Sequence, residues 1–75
     1  MILNLYDAPN GSIYTVVDIP EENILESIGI FPGAQLKIES RYSFGGPVTV
    51  ALGSRNIAIG KALAKKIAVE RCYNE

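Results

Sequence analysis

Residues 25–33, which read LESIGIFPG, combine three structural signals in one short stretch. The leucine and the first isoleucine fall on one helical face. Gly29 follows at the position where helices commonly end in a left-handed residue, a conformation that glycine adopts without strain. Pro32 and Gly33 then suit the two central positions of a type II turn. The stretch therefore predicts the end of a short helix, a fixed corner and the start of a strand.

Around this corner, the chain alternates between short apolar strand patterns and tight turns. Alternating β-branched residues predict a strand over 13–19, which Pro20 ends and a helix over 21–28 follows. Further strands are predicted over 36–39, 48–52, 57–59 and 67–69, with a helical turn over 61–66. Five short strands with one inserted helix favour a mostly β fold, a small five-stranded barrel. We expect a single domain over 1–75, with a core at about 3–70 and a frayed tail at 71–75.

The composition is that of one small globular domain. The chain has 75 residues, of which 48% are apolar and 20% are charged. One cysteine and no histidine exclude an internal disulfide and a Cys/His zinc scaffold. No apolar run approaches the roughly 20 residues that span a bilayer, and the N-terminus lacks the pattern of a signal peptide. We therefore expect a cytoplasmic protein without direct membrane insertion.

The sequence lacks the motifs of the common catalytic centres. Without histidine, neither a Ser–His nor a Cys–His pair can form. No phosphate-binding loop of the Gly-x-x-x-x-Gly-Lys-Ser/Thr type is present, and Gly45-Gly46 lies in a predicted hairpin rather than between a strand and a helix. We therefore expect the protein not to be an enzyme.

Three residues are weak candidates for metal ligands. Glu22 and Glu26 lie four apart on one helical face, where two carboxylates could hold a hard divalent cation weakly. The alternative is a solvated acidic face. Cys72 could add a soft ligand, or it could be an incidental thiol on the tail. The residues thus predict no firmly bound cofactor.

Two groups of residues are candidates for contact with a partner. Arg41, Tyr42 and Phe44 cluster at the first hairpin, and arginine and aromatic side chains on a rigid loop are typical of interface hot spots. The alternative is that Phe44 caps the barrel and Tyr42 packs across the sheet. Ile24 and Leu25 are adjacent on the helix, so one of them is expected to remain exposed for a groove or a second copy. A weak homo-oligomer is thus also expected.

The charge distribution favours a protein partner over a nucleic acid. Residues 1–40 carry six acids and one base, and residues 41–75 carry six bases and two acids, so the halves have net charges of −5 and +4. Opposed patches of this kind suit docking on a protein. The alternative is that the two halves interleave in space and their fields cancel. A nucleic-acid-binding domain usually has a stronger basic excess than a chain of pI ≈ 5.3.

The corner at 25–33, followed by a strand, a glycine-rich hairpin and strands at 57–59 and 67–69, resembles the FeoA family over about residues 3–70. The resemblance implies an SH3-like barrel in a cytoplasmic accessory protein of ferrous iron transport. It also implies a FeoB-type membrane transporter, or its GTPase domain, as the partner. Because the chain offers few good ligands, we expect weak or no binding of divalent iron. In that family picture, the same domain is found at the C-terminus of DtxR-type metal-dependent repressors. A regulatory domain of that kind and a nucleic-acid-binding small barrel therefore stay as alternatives.

Overall fold

The computed structural model describes residues 2–21, 23–41 and 44–72, without the side chain of Asn23. The elements in chain order are β1 (Ile2–Asn4), β2 (Ile13–Asp18), α1 (Asn23–Ser27), β3 (Gln35–Arg41), β4 (Val48–Leu52), β5 (Arg55–Ile59), α2 (Lys61–Ala64) and β6 (Ala68–Arg71). The strands form one antiparallel sheet in the order β1-β6-β2-β3-β4-β5. The prediction of a mostly β fold is therefore confirmed.

Alternating side chains on one face of the sheet build the core. In β4, Val48, Val50 and Leu52 are buried, and the two residues between them are only half-buried. Such alternation places every second side chain on the same face of a strand. The large side chains that are fully buried come from both ends of the chain: Leu5, Tyr14, Val16, Leu25, Ile30, Ile38, Val48, Val50, Ile67 and Val69. They join one hydrophobic cluster.

Two irregularities bend the sheet around this core. The register between β2 and β6 shifts between Val16 and Asp18, and the register between β3 and β4 shifts between Ile38 and Ser40. An extra residue in one strand of an antiparallel pair bends that strand and increases its twist. The result is the curled sheet of a small SH3-like barrel.

The predicted number of five strands is wrong, because the chain has a sixth strand at its N-terminal end. Ile2–Asn4 pairs with Ala68–Glu70, and Leu5 continues this contact through its backbone N–H, which donates to the carbonyl of Ile67 at 2.8 Å. The Leu5 side chain is fully buried. A strand of only three residues is too short to show a period of two, so its pairing with β6 rather than its sequence defines it.

Element ends differ from the prediction by a few residues. Helix α1 covers Asn23–Ser27 instead of 21–28, and α2 covers Lys61–Ala64 instead of 61–66. The tail expected at 71–75 is wrong at its first two positions. Arg71 belongs to β6, and the N–H of Cys72 donates to the carbonyl of Ile13 at 2.8 Å. Residues 73–75 lie outside the described part of the chain.

The two differently charged halves of the sequence are interleaved in the sheet. Strand β6 comes from the basic half and lies between β1 and β2, which come from the acidic half. The charge asymmetry along the sequence therefore does not become a simple division of the molecule into two sides. Local patches, rather than the halves, must carry any electrostatic recognition.

Candidate functional site

The helix end at Gly29 has the geometry that the sequence predicts. The N–H of Gly29 donates to the carbonyl of Glu26 at 3.1 Å, and the N–H of Ile30 donates to the carbonyl of Leu25 at 2.8 Å. These two hydrogen bonds define a Schellman motif, with Gly29 at the left-handed position and φ of +97°. Leu25 and Ile30, which this motif brings back toward each other, are both fully buried.

The turn that follows anchors the corner on the sheet. The N–H of Ala34 donates to the carbonyl of Phe31 at 2.9 Å across Pro32 and Gly33, and Gly33 has φ of +99°. This is the arrangement of a type II turn, in which the third residue needs positive φ. Val16 of β2 then exchanges two backbone hydrogen bonds of 2.8 Å with the turn, one from Gly33 and one to Ala34. The corner is thereby fixed to a central strand.

The two helical candidates for partner contact, Ile24 and Leu25, differ in their exposure to solvent. Ile24 is 60% exposed, whereas Leu25 is fully buried. The prediction of Leu25 as a contact residue is therefore wrong, because its side chain fills the core beneath the helix. Ile24 keeps the exposure that a contact would need.

Among the described residues of the first hairpin, Phe44 presents a fully exposed aromatic ring. Phe44 makes no buried contact, so the alternative in which it caps the barrel is wrong. It precedes Gly45, whose φ of +80° fits the turn between β3 and β4. Tyr42, the other aromatic candidate, lies outside the described residues.

Arg41 is directed toward the protein's own backbone. Its Nη2 donates to the carbonyl oxygen of Ala8, which lies in the loop between β1 and β2. Its Nε is buried and has no hydrogen-bond partner among the described residues. Arg41 therefore ties the end of β3 to the N-terminal loop, and this geometry does not support its predicted role as a free contact residue.

Beside Phe44, two lysines approach one tyrosine. The Nζ atoms of Lys61 and Lys65 lie 5.5 and 5.7 Å from the ring centroid of Tyr6, a distance at which the ring attracts the ammonium groups. A Cβ on Gly45 would lie 3.7 Å from the Nζ of Lys61, so the Phe44 turn borders this lysine. We call the set of Tyr6, Phe44, Lys61 and Lys65 the lysine–aromatic end.

Sequence reasoning missed three members of this end. Lys61 and Lys65 are four apart, which indicates one helical face, but nothing in the sequence places Tyr6 beneath them. The approach of the first hairpin to Lys61 likewise depends on the antiparallel register in which Val48 pairs with Ile59, because that pairing places the end of the hairpin beside the start of α2. Long-range register is not visible in a local pattern.

The two candidate metal ligands that the structure describes, Glu26 and Cys72, belong to no cluster of three potential ligands among the described residues. Glu26 is exposed on α1, and Glu22 lies outside the described residues. The Sγ of Cys72 accepts a hydrogen bond from Nε2 of Gln35 at 3.2 Å and lies 3.4 Å from Oγ1 of Thr15. Within residues 2–21, 23–41 and 44–72, no three His, Cys, Asp or Glu side chains come together as a metal site.

An open groove of about 280 Å³ lies on the outer face of the sheet. It is lined by Ile13, Gln35, Leu36, Lys37, Ala51 and Gly53. Lys37 is the one titratable group in this lining, so the groove does not pair an acid with a base.

The helices in the described part of the chain are all too short to cross a membrane.

No curated protein shows significant sequence similarity to the chain. Several solved structures, in contrast, match the fold of the chain closely. The crystal structure of an iron uptake regulatory protein (FeoA) matches with 30% identity and a TM-score of 0.86, over 96% of this chain and 99% of that one.

Two further solved structures show the same fold in different settings. A FeoA-like protein from Clostridium acetobutylicum has 26% identity and a TM-score of 0.81, over 99% of this chain and 91% of that one. A manganese-dependent transcriptional repressor has 26% identity and a TM-score of 0.84, and the match covers 95% of this chain but 42% of the repressor. These comparisons indicate no enzyme family.

The model of the FeoA domain matches residues 3–71, which is nearly the whole chain. This range agrees with the residues whose pattern resembles that family, and it includes the last two residues of β1 and the whole of β6. The chain therefore belongs to the FeoA family.

Proposed function

We propose that this chain is a small cytoplasmic accessory protein of ferrous iron transport, and that it binds the cytosolic part of a FeoB-type membrane transporter, including its GTPase domain. The observation that carries the proposal is the match to an iron uptake regulatory protein, which extends over 96% of this chain and 99% of that protein at 30% identity. Membership of the FeoA family supports the same assignment.

The surface supports a role in binding. Phe44 is fully exposed on a turn, and Lys61 and Lys65 are exposed beside it. Exposed aromatic rings close to charged groups are frequent at protein interfaces, where the ring supplies affinity and the charges supply orientation. The corner at 25–33 is anchored by the buried Leu25 and Ile30 and by its hydrogen bonds to β2, so the barrel that carries this surface is folded before the partner binds.

Ferrous iron enters this proposal as the cargo of the transporter. Weak binding of divalent iron by Glu22, Glu26 or Cys72 stays a prediction. It can be tested with Mn²⁺ as a paramagnetic substitute, which broadens the amide signals of residues near a bound ion. Saturable broadening around Glu26 or Cys72 would support it, and uniform weak broadening would contradict it.

A second candidate function is that of a regulatory domain. It is favoured by the match to the manganese-dependent repressor, of which the chain spans 42%. In that role the barrel would modulate a DNA-binding chain. A nucleic-acid-binding barrel is the least favoured, because the net charge of −1 offers little electrostatic attraction to a polyanion.

Isothermal titration calorimetry separates these candidates. The full chain is titrated into the purified cytosolic GTPase domain of the FeoB-type transporter from the same organism, and in parallel into a metal-dependent repressor from that organism. We expect saturable micromolar binding to the transporter domain alone. Binding to the repressor alone would favour the second candidate, and the absence of transporter binding at high micromolar concentration of folded protein would contradict the proposal.

A further inference from the structure

We propose that the lysine–aromatic end is the docking surface of this protein, and that its occupant is a protein surface on which carboxylates surround an apolar pocket. Phe44 is the anchor that enters the pocket, and Lys61 and Lys65 face the carboxylates. The identity of the partner rests on the proposed function above, whereas the chemistry of the surface rests on the geometry of these residues.

Three separate parts of the chain hold this end in place. Lys61 begins α2 and Lys65 directly follows it, and the Nζ atoms of both lie near the ring of Tyr6 in the loop after β1. Arg41 ties that same loop to the end of β3 through the carbonyl of Ala8. Lys61 also borders Gly45. The backbone segments that carry the charged groups and the anchor are thus held next to one another, which lowers the entropy lost on binding.

The structure describes no carboxylate that pairs with the two ammonium groups of this end. Neither Lys61 nor Lys65 forms an ion pair with a carboxylate among residues 2–21, 23–41 and 44–72. The carboxylate of Asp7, next to Tyr6, accepts a hydrogen bond from the side chain of Asn4 at 2.8 Å instead. Two neighbouring ammonium groups above one ring repel each other, so an external anion would stabilise them.

Phe44 adds an apolar contact in the same place. Its ring is fully exposed and therefore does not pack against the hydrophobic core. Burial of one exposed aromatic side chain by a partner removes a large apolar area from water and is typical of an interface hot spot. One apolar anchor beside two cations therefore fits a partner surface that has an apolar pocket with carboxylates around it.

The same residues fit a protein better than a nucleic acid. A single-stranded nucleic acid needs free aromatic faces on which bases stack. The ring of Tyr6 is already covered by the two lysines, so Phe44 is the one aromatic ring of this end that is free for stacking. A net charge of −1 also opposes association with a polyanion.

The first test requires no transporter. Amide chemical shifts of the ¹⁵N-labelled full chain are followed during titration with the acidic peptide Glu-Glu-Leu-Glu-Glu. We expect saturable changes confined to residues 5–8, 44–46 and 61–65, which weaken as salt is added. Changes centred on Ile24 or on Lys37, or no changes at millimolar peptide, would overturn the assignment of this surface.

The second test uses the transporter's GTPase domain and four variants of the full chain. F44A and the double variant K61E/K65E should each weaken binding about tenfold or more. I24A, at the other exposed apolar candidate, and K37E, which changes the charge of an exposed lysine outside this end, should bind within about twofold of the wild type. Each variant is first checked for a wild-type melting temperature.

The outcomes separate the two proposals. Wild-type binding that survives F44A and K61E/K65E would overturn the surface while keeping the function. Loss of binding with I24A instead would assign the contact to the helix corner. If the wild type binds a single-stranded oligonucleotide or a second copy of itself more tightly than the transporter domain, the occupant proposed here is wrong. If the wild type does not bind the transporter domain at all, the proposed function fails, and the peptide titration still decides the surface.

Discussion

The guanidinium of Arg55 donates a hydrogen bond from Nη2 to the carbonyl oxygen of Ile28 at 2.7 Å. Arg55 begins β5, and Ile28 directly follows α1. The β4–β5 hairpin therefore satisfies one of the carbonyl groups that the end of a helix leaves without an intrahelical partner. The helix corner is thus held from two sides, by its own Schellman hydrogen bonds and by an arginine from the other half of the chain.

Substitution of Gly29 should lower the free energy of unfolding by more than its left-handed backbone conformation alone would predict. A Cβ at this position would lie 3.0 Å from Nη2 of Arg55 and 3.1 Å from Cδ2 of Leu52. Gly33 has nearly the same φ, and a Cβ there would meet nothing within 4 Å. We expect Gly33→Ala to lower the free energy of unfolding by about 1 kcal/mol and Gly29→Ala by about 2 kcal/mol, with Gly29→Val at about 3 kcal/mol.

Urea unfolding of the three variants measures these differences. Gly33→Ala is the matched control, because it carries the left-handed strain without the crowding. Equal destabilisation by the two alanine substitutions would show that contact with Arg55 and Leu52 does not restrict this position. A Gly29→Val protein that melts like the wild type would contradict the left-handed helix end itself.

Removal of the Arg55 guanidinium should loosen the helix corner. Arg55→Met is expected to lower the free energy of unfolding by about 0.5–1 kcal/mol, because it leaves the Ile28 carbonyl with water as its partner. It should also speed hydrogen exchange at the amides of residues 28–30. Lys37→Met removes an exposed cation from β3 and serves as the control, for which no change at residues 28–30 is expected.

The crowding at Gly29 can be assigned to Arg55 with a double-mutant cycle. In the Arg55→Met background, Gly29→Ala should cost less than in the wild type, because the atom nearest to the new Cβ has been removed. Strictly additive free energies of unfolding would contradict this contact.

The N-terminal strand should be an integral part of the barrel. Leu5 is fully buried and donates to Ile67, whereas Ile2 on the same segment is 58% exposed. We expect Leu5→Ala to lower the free energy of unfolding by about 2–4 kcal/mol and Ile2→Ala by less than about 1 kcal/mol. Thermal or urea unfolding distinguishes the two. A mild effect of Leu5→Ala would indicate that β1 adds little to the core.

The thiol of Cys72 should act as a hydrogen-bond acceptor. Its Sγ lies 3.2 Å from Nε2 of Gln35. Cys72→Ser keeps an acceptor at this place and should leave stability nearly unchanged, whereas Cys72→Ala should cost about 0.5–1 kcal/mol. Equal melting temperatures of the two variants would show that the contact with Gln35 does not contribute.

The sequence predicts the parts of this fold that depend on local chemistry. Gly29, Pro32 and Gly33 each have a backbone requirement that neighbouring residues reveal, and the helix end and the turn are found where they predict them. The alternation in β4 likewise indicates the buried face. These features need no knowledge of the rest of the chain.

The features that the sequence does not reveal depend on long-range pairing. Strand β1 exists because β6 lies beside it, and no local pattern marks it. Tyr6 meets Lys61 and Lys65 through the register of distant strands, and Arg41 turns inward because Ala8 lies within its reach. Leu25 and Ile24 are adjacent in sequence, and only the direction of helix packing decides which of them is buried.

The most direct measurement of the central proposal is a heteronuclear NMR titration of the labelled chain with the unlabelled cytosolic GTPase domain of its FeoB-type transporter. We predict saturable loss or shift of the amide signals of residues 5–8, 44–46 and 61–65, while the signals around Ile24 and in the outer-face groove remain unchanged. Unchanged spectra at high micromolar partner concentration, or changes centred on the helix corner, would contradict the account of this protein as a partner that docks through its lysine–aromatic end.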